Sequence, residues 1–328
     1  MANYVEIRDV EISLGDFPLE HGGVLKDDVV QGRLYGPKGA PLVVVPGGIS
    51  ASRFVADGVD GKDGSGGWWS DVIYPGGPID LNHVQVLGFD CAPGGINTET
   101  RLTITTSDQA KRLAALLDHL KVECVHSIIG MSYGGMIALA FAQDFPARVE
   151  NLCIFGAAHR PWPMGVALRG IQRRTIDLAT KLGDPLEGLK LARELAMTTY
   201  RSAEEFSERF SATPNGDVPA TFDIGDYLES RGQHYKKIMP VNRFLALSES
   251  IDLHTVDPAK IQARTTLIAV RSDQLAPPSE MQALCDALAG PSELHVIDSI
   301  YGHDSFLKAT DLLAPILSDF IGGESRAA

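Results

Sequence analysis

A serine stands between glycines in Gly130-Met131-Ser132-Tyr133-Gly134. The apolar run before it, CVHSIIG over 124–130, reads as a strand. The segment after it, YGGMIALAFAQDF, carries apolar residues at helical spacing. G-x-S-x-G in a strand-to-helix turn is the pattern of a nucleophile elbow. The turn is tight enough to demand small neighbours, and it leaves the hydroxyl exposed at the carboxyl end of a strand. The helix N-terminus and the backbone N–H of Tyr133 would then face an oxyanion forming on a substrate carbonyl. The competing reading is an ordinary turn with a capping serine.

A serine hydroxyl is a weak nucleophile. It needs a base, and the base needs an orienting acid. In the hydrolase-type chain order the acid follows the serine and the histidine comes last. Asp273 closes the apolar run TTLIAVRSD (265–273), and His303 follows ELHVIDS (293–299). The other eight of the nine histidines fit less well. His83, His126 and His295 lie in strand-like runs, His119 in a helix, and His21 comes too early. His159, His234 and His254 lie in or beside a long helical stretch. Asp298 and Asp304 rival Asp273, but neither ends the preceding strand. A second oxyanion donor is expected from the loop closing PLVVVPGG (41–48). Pro46 has no N–H, which leaves Gly47 or Gly48.

These residues need a scaffold. Residues 3–14 and 27–35 alternate polar and apolar like a pair of half-buried strands. Short apolar strands are expected near 41–46, 83–90, 124–130, 151–156, 265–273 and 293–299. Helices are expected from a cap at Ser107, after Ser132, from Ser279, and from Ser305 to about Ile321. Apolar strands alternating with helices predict an α/β fold with a mostly parallel sheet flanked by helices. From His159 to Pro258 the pattern turns mainly helical. The expected organisation is a core of 1–158 and 260–328, interrupted by a helical lid at 159–259.

Composition narrows the function. Of 328 residues, 44% are hydrophobic and 22% charged, as in a globular protein with a real core. A net charge of −13 and a pI of about 5.1 argue against nucleic acid or an anionic membrane as partner. Cys91, Cys124, Cys153 and Cys285 show no zinc spacing, and are expected as reduced, mostly buried thiols. With no signal-like N-terminus and no membrane-length apolar run, a cytoplasmic protein is expected. The acidic loop DGVDGKDGSGG (57–67) suggests a calcium loop. Its acids at 57, 60 and 63 have the wrong spacing, so no metal is expected.

Several segments resemble the homoserine O-acyltransferases of the α/β-hydrolase fold. These are GWWSDVIYPGGPIDLNHVQVLGFD (67–90), IIGMSYGGMIALAFAQDFPARV (128–149), IQRRTI (171–176) and YGHDSFL (301–307). The resemblance implies an α/β-hydrolase fold with an inserted helical lid, and ping-pong acyl transfer in methionine biosynthesis. An acyl group would pass from acyl-CoA, as co-substrate and without further cofactor, to Ser132 and on to L-homoserine. It implies Ser132 as nucleophile, His303 as base and Asp273 as its partner. It also implies Arg173 on the acceptor's carboxylate, Asp304 on its ammonium group, and a homodimer. The loop PGGISASRF (46–54) departs from the Thr/Ser-Ser-His type of the acetyl-transferring members and looks like the succinyl branch. There Arg53 could pair with a succinyl carboxylate. The segment CAPGGINTETRL (91–102) is shorter than its family counterpart. Serine in place of homoserine, hydrolysis by an esterase or thioesterase with the same triad, and a non-catalytic binding protein are the alternatives.

Overall fold

The computed structural model describes residues 5–56, 66–216 and 220–322. The chain opens with two long strands, β1 (Ile7–Pro18) and β2 (Val24–Tyr35), paired antiparallel with Ile7 opposite Tyr35. Then come β3 (Leu42–Val44), a two-stranded ribbon of β4 (Ile73–Tyr74) and β5 (Ile79–Asp80), and β6 (Gln85–Phe89). The strands β7 (Val125–Met131), β8 (Val149–Phe155), β9 (Arg264–Val270) and β10 (Ser292–Ile297) complete the main sheet. Its order is β1-β2-β6-β3-β7-β8-β9-β10. The pairs β1/β2 and β2/β6 are antiparallel and the others parallel. The chain winds from β3 outward to β6, then reverses to β7. That reversal opens a crevice beyond the carboxyl ends of β3 and β7, where open α/β sheets bind ligands.

Alternate residues of the central strands enter two separate cores, as the period of two requires. Val44, Leu87, Ile128 and Leu152 join one with α1 (Thr106–His119), α2 (Tyr133–Asp144) and α8 (Pro278–Ala287). Val43, Val86, Ile129 and Cys153 join the other with Trp69, Phe306 of α9 (Ser305–Lys308) and Leu313 of α10 (Thr310–Gly322). Burying each such aliphatic side chain contributes roughly 1.5–3 kcal/mol. Both faces of the sheet are therefore anchored, and the strand ends hold still.

Among the described residues, five α-helices lie between β8 and β9: α3 (Pro163–Lys181), α4 (Pro185–Tyr200), α5 (Ala203–Arg209), α6 (Asp223–Ile238) and α7 (Val241–Leu253). They have a small core of their own, around Ile176, Leu189, Tyr235 and Phe244. Polar clasps join them to the sheet domain. Arg243 donates to the Cys91 carbonyl at 2.7 Å, and Asn242 to the carbonyls of Thr98 and Glu99. At the exit of α7, His254 is buried. Its Nδ1 accepts from Thr106 Oγ1 (2.8 Å) and its Nε2–H donates to the Ala158 carbonyl (3.1 Å). Burial presses its pKa down to about 3, so it is a neutral structural joint and not a base.

Three local expectations change. Helix α1 is capped by Thr105, not Ser107: Thr105 Oγ1 accepts from Asp108 N, and the Asp108 carboxylate from Thr105 N, a reciprocal box. Strand β9 ends at Val270, so Asp273 stands three residues beyond it in a turn closed by its own N–H to the Val270 carbonyl. The last helix breaks at Ala309 into α9 and α10. All four cysteines are free thiols, with Cys124 exposed just ahead of β7.

Candidate active site

Strand β7 ends at Met131 and α2 begins at Tyr133, so Ser132 alone makes the turn. Its backbone has φ +53° and ψ −120°, a conformation a β-carbon resists at a cost of about 1–3 kcal/mol. The surroundings enforce it. Ser132 N–H donates to the Phe155 carbonyl (2.9 Å), Met131 N–H to the Pro46 carbonyl (3.2 Å), and the Ser132 carbonyl accepts from Met136 (3.1 Å). Gly134 is required, because a Cβ there would stand 1.9 Å from the Pro46 carbonyl oxygen. The loop after β3 and the serine turn thus lie against each other. Tyr133 N–H belongs to the first turn of α2, whose donors lack intrahelical acceptors. The Tyr133 side chain is buried, its hydroxyl bonded to Ser250 Oγ (2.8 Å) and Gln109 Nε2 (3.3 Å). Gly48 lies on the cavity wall with Ser132. Gly47 sits beneath Ala51 and Trp68, where a Cβ would approach within 2.5 and 2.8 Å.

His303 follows β10 in a short turn and reaches Ser132. Ser132 Oγ and His303 Nε2 are 2.8 Å apart, and His303 Nδ1 and Asp273 Oδ2 are 2.7 Å apart. In the neutral imidazole, Nδ1–H donates to the carboxylate and Nε2 accepts the serine proton. Asp273 Oδ1 accepts from Leu275 N–H (2.7 Å) and Ala276 N–H (3.1 Å), which fixes its plane. Gly156 follows directly after β8 with φ +57°. A Cβ there would lie 3.2 Å from His303 Cε1 and 3.4 Å from Asp273 Oδ2, so only glycine lets the pair close. Burial pushes the His303 pKa down, but the Asp273 charge and hydrogen bond outweigh it, and the net shift is upward. Tyr200 stacks on the imidazole at 6.2 Å between centroids, and Phe306 meets it edge-on at 6.4 Å. The Trp-Trp segment frames the site. Trp69 Nε1 donates to the Phe306 carbonyl (2.8 Å) and Trp68 Nε1 to the Ser52 carbonyl (2.9 Å).

Ser132 and His303 open into a cavity of about 260 Å³ between the sheet domain and the inserted helices. Asp304 is on its wall. Burial raises the Asp304 pKa, opposed by the charges of Arg201 and His303. Two expected arginines are not brought to the cavity. Arg53 is committed elsewhere: its guanidinium pairs with Asp90, bonds Gln31 Oε1 (3.0 Å) and lies 4.6 Å over Phe54. Arg173 lies behind the wall, donating to Ser248 and, at 2.6 Å, to Asp252 Oδ2.

The arginines that do line the cavity are Arg160, Arg169 and Arg193, and their charges are not equally compensated. Arg160 pairs with Glu280 at 3.1 Å. Arg169 donates through Nε to Asp252 Oδ1 at 2.6 Å, so it shares one carboxylate with Arg173 and the cluster stays a net cation. Arg193 pairs with no carboxylate among the described residues. It rests on the rings of Tyr200 (5.2 Å) and Tyr235 (4.6 Å). A signal for both was in the sequence. Arg169 falls on the helical face of Gln172 and Ile176, and Arg193 on that of Leu189 and Ala196, where a solvated arginine does not belong. No group of three or more metal-ligating side chains occurs among the described residues. Of the acidic loop at 57–67, residues 57–65 lie outside them. No helix among them is long and apolar enough to cross a membrane.

The chain is similar to several known proteins. The sequence pattern of the alpha/beta hydrolase fold matches residues 41–310. The homoserine O-succinyltransferase of Xanthomonas campestris pv. campestris is 38% identical over 306 residues, covering 92% of this chain and 81% of that protein. The homoserine O-acetyltransferase of Geotalea daltonii is 30% identical over 347 residues, covering 93% and 95%. The crystal structure of homoserine O-acetyltransferase from Bacillus anthracis superposes with a TM-score of 0.85 at 18% identity, over 96% of this chain and 97% of that one. The last likeness concerns the fold alone.

Proposed function

This chain belongs to the homoserine O-acyltransferase family of the α/β-hydrolase fold, and on that premise we propose that it carries a succinyl group from succinyl-CoA to the hydroxyl of L-homoserine. Ser132 Oγ attacks the thioester carbonyl while His303 Nε2 takes its proton. The oxyanion is received by Tyr133 N–H and a donor of the loop at Gly48. His303 returns the proton to the departing thiolate, which leaves as coenzyme A. The acceptor hydroxyl then enters, loses its proton to His303 and takes the acyl group, and the proton goes back to Ser132 Oγ.

The observation carrying this reading is the charge of the cavity wall. An amino acid brings one carboxylate and one ammonium, and a succinyl group brings a second carboxylate. The wall offers two incompletely compensated cations, Arg169 and Arg193, and two carboxylates, Glu280, which is taken up by Arg160, and Asp304. We assign Arg193 and Asp304 to the acceptor's carboxylate and ammonium. Arg169 is assigned to the distal carboxylate of the acyl group, the role expected of Arg53. An acetyl group would bring no second carboxylate to Arg169, which shares Asp252 with Arg173. The chemistry suits methionine biosynthesis in the cytoplasm, where acyl-CoA and free amino acids meet. The reading includes a homodimer: Met164, Ile171 and Leu178 recur every seven residues along α3. With Leu182 they leave 44–78% of their surfaces exposed, a stripe suited to a second copy.

Intact-mass measurement after succinyl-CoA without acceptor tests the intermediate. One succinyl group should appear on the wild type, not on Ser132→Ala, and L-homoserine should discharge it. An adduct that water removes as fast as homoserine would make the protein a thioesterase.

A further inference from the structure

The junction of α4 and α5 is sewn to the two turns that carry Asp273 and His303. Gln274 Nε2 donates to the Arg201 carbonyl at 3.1 Å, and the Ser202 hydroxyl to the Ile300 carbonyl. Gly302 has room for no side chain, since a Cβ would lie 2.9 Å from the Tyr200 carbonyl oxygen. This stitching brings Arg201 behind Asp304. Arg201 Nη2 stands 3.5 Å from Asp304 Oδ2, with the two side chains 9% and 17% exposed. Arg201 itself is not on the cavity wall.

We propose that Arg201 is a positioning residue that keeps Asp304 ionised and aimed into the cavity, and so sets affinity for the acceptor's ammonium group. A carboxylate this enclosed is inclined to hold its proton, and a protonated carboxyl cannot pair with an ammonium ion. A guanidinium at 3.5 Å favours the charged form. It engages Oδ2, which leaves Oδ1 to receive the ammonium ion. Arg201 is in turn held by Glu205, which is 2% exposed. Glu205 Oε1 also receives Arg209 (3.0 Å) and Lys308 (3.5 Å). Three cations around Glu205 leave Arg201 positive charge to spare for Asp304. A lid segment thereby tunes a recognition group that belongs to the sheet domain.

The inference rests on Asp304 receiving the ammonium, and the test separates the two. Purified Arg201→Met, Arg201→Gln and Arg201→Lys are compared with wild type. The readouts are the burst of thiol from succinyl-CoA without acceptor, the KM for L-homoserine, and turnover of 4-hydroxybutanoate, which lacks the amino group. Arg201→Met should raise the homoserine KM at least about tenfold. It should leave the burst and the 4-hydroxybutanoate rate near wild type, and Arg201→Lys should recover part of the loss. Should Arg201→Met fail to fold, Arg201→Gln, which keeps a polar head and drops the charge, carries the same expectation. An unchanged homoserine KM, or a burst falling in step with it and unrescued by lysine, overturns the proposal. Wild type that accepts 4-hydroxybutanoate as well as homoserine removes the role of Asp304 itself, whatever Arg201 does.

Discussion

Replacing Arg169 by methionine should change which donor is used while sparing the chemistry. Methionine keeps most of the apolar stem in place and removes the charge. Asp252 retains Arg173 at 2.6 Å, so no carboxylate is left unpaired and the fold should hold. A guanidinium and a carboxylate about 4 Å apart attract by roughly 4 kcal/mol at an effective dielectric constant of about 20. The Arg169 side chain is 12% exposed. Stripping water from the entering carboxylate offsets about half of that attraction, leaving about 2 kcal/mol, or roughly thirtyfold in rate. The assay follows thiol release from succinyl-CoA and acetyl-CoA at saturating L-homoserine. For Arg169→Met, kcat/KM for succinyl-CoA should fall about thirtyfold and that for acetyl-CoA should stay within about twofold. Equal losses with both donors would show that Arg169 supports the cavity rather than the acyl group, and the charge argument would fail.

Four further outcomes follow from the geometry. Asp273→Asn keeps the size of the side chain but removes the charge that holds His303 Nδ1–H, so kcat should fall roughly 10⁴-fold. The acyl-transfer rate of the wild type should rise with pH through a midpoint above about 6.5, because the His303 pKa is raised and only the neutral ring accepts a proton. Residual activity of Asp273→Asn should show that midpoint displaced downward, and a stopped-flow pH series reads both. Gly134→Ala puts a methyl where the Pro46 carbonyl stands, and should cost about 1–3 kcal/mol of stability, visible as a lower Tm in a thermal melt. An unchanged melt would mean the turn is looser than its contacts imply. If the proposed dimer forms through the exposed stripe of α3, Leu178→Glu should lower the mass seen in light scattering to that of a monomer without lowering the Tm.

The local code was legible where one physical constraint acts alone. The sheet class followed from apolar strands alternating with helices. Ser132, Asp273 and His303 stood at the turns where such a sheet exposes side chains. The cavity wall was less legible, because a helix face depends on what packs against it. Arg173 and Arg169 lie one turn apart on α3, and only the position of Asp252 and Ser248 decides which of them reaches the cavity. Arg53 reads as a free loop arginine until Asp90, distant in sequence, is seen to claim it. The helix-start error at Ser107 has the same origin. Thr105 and Ser107 are both capping residues, and the reciprocal bond with Asp108 selects the first.

The most direct test of acyl transfer from thioester to amino acid follows coenzyme A release from succinyl-CoA, with and without L-homoserine, in wild type and Ser132→Ala. Sustained release that needs both L-homoserine and Ser132 is the expected result. Release at the same rate without the amino acid, or undiminished in Ser132→Ala, would contradict it.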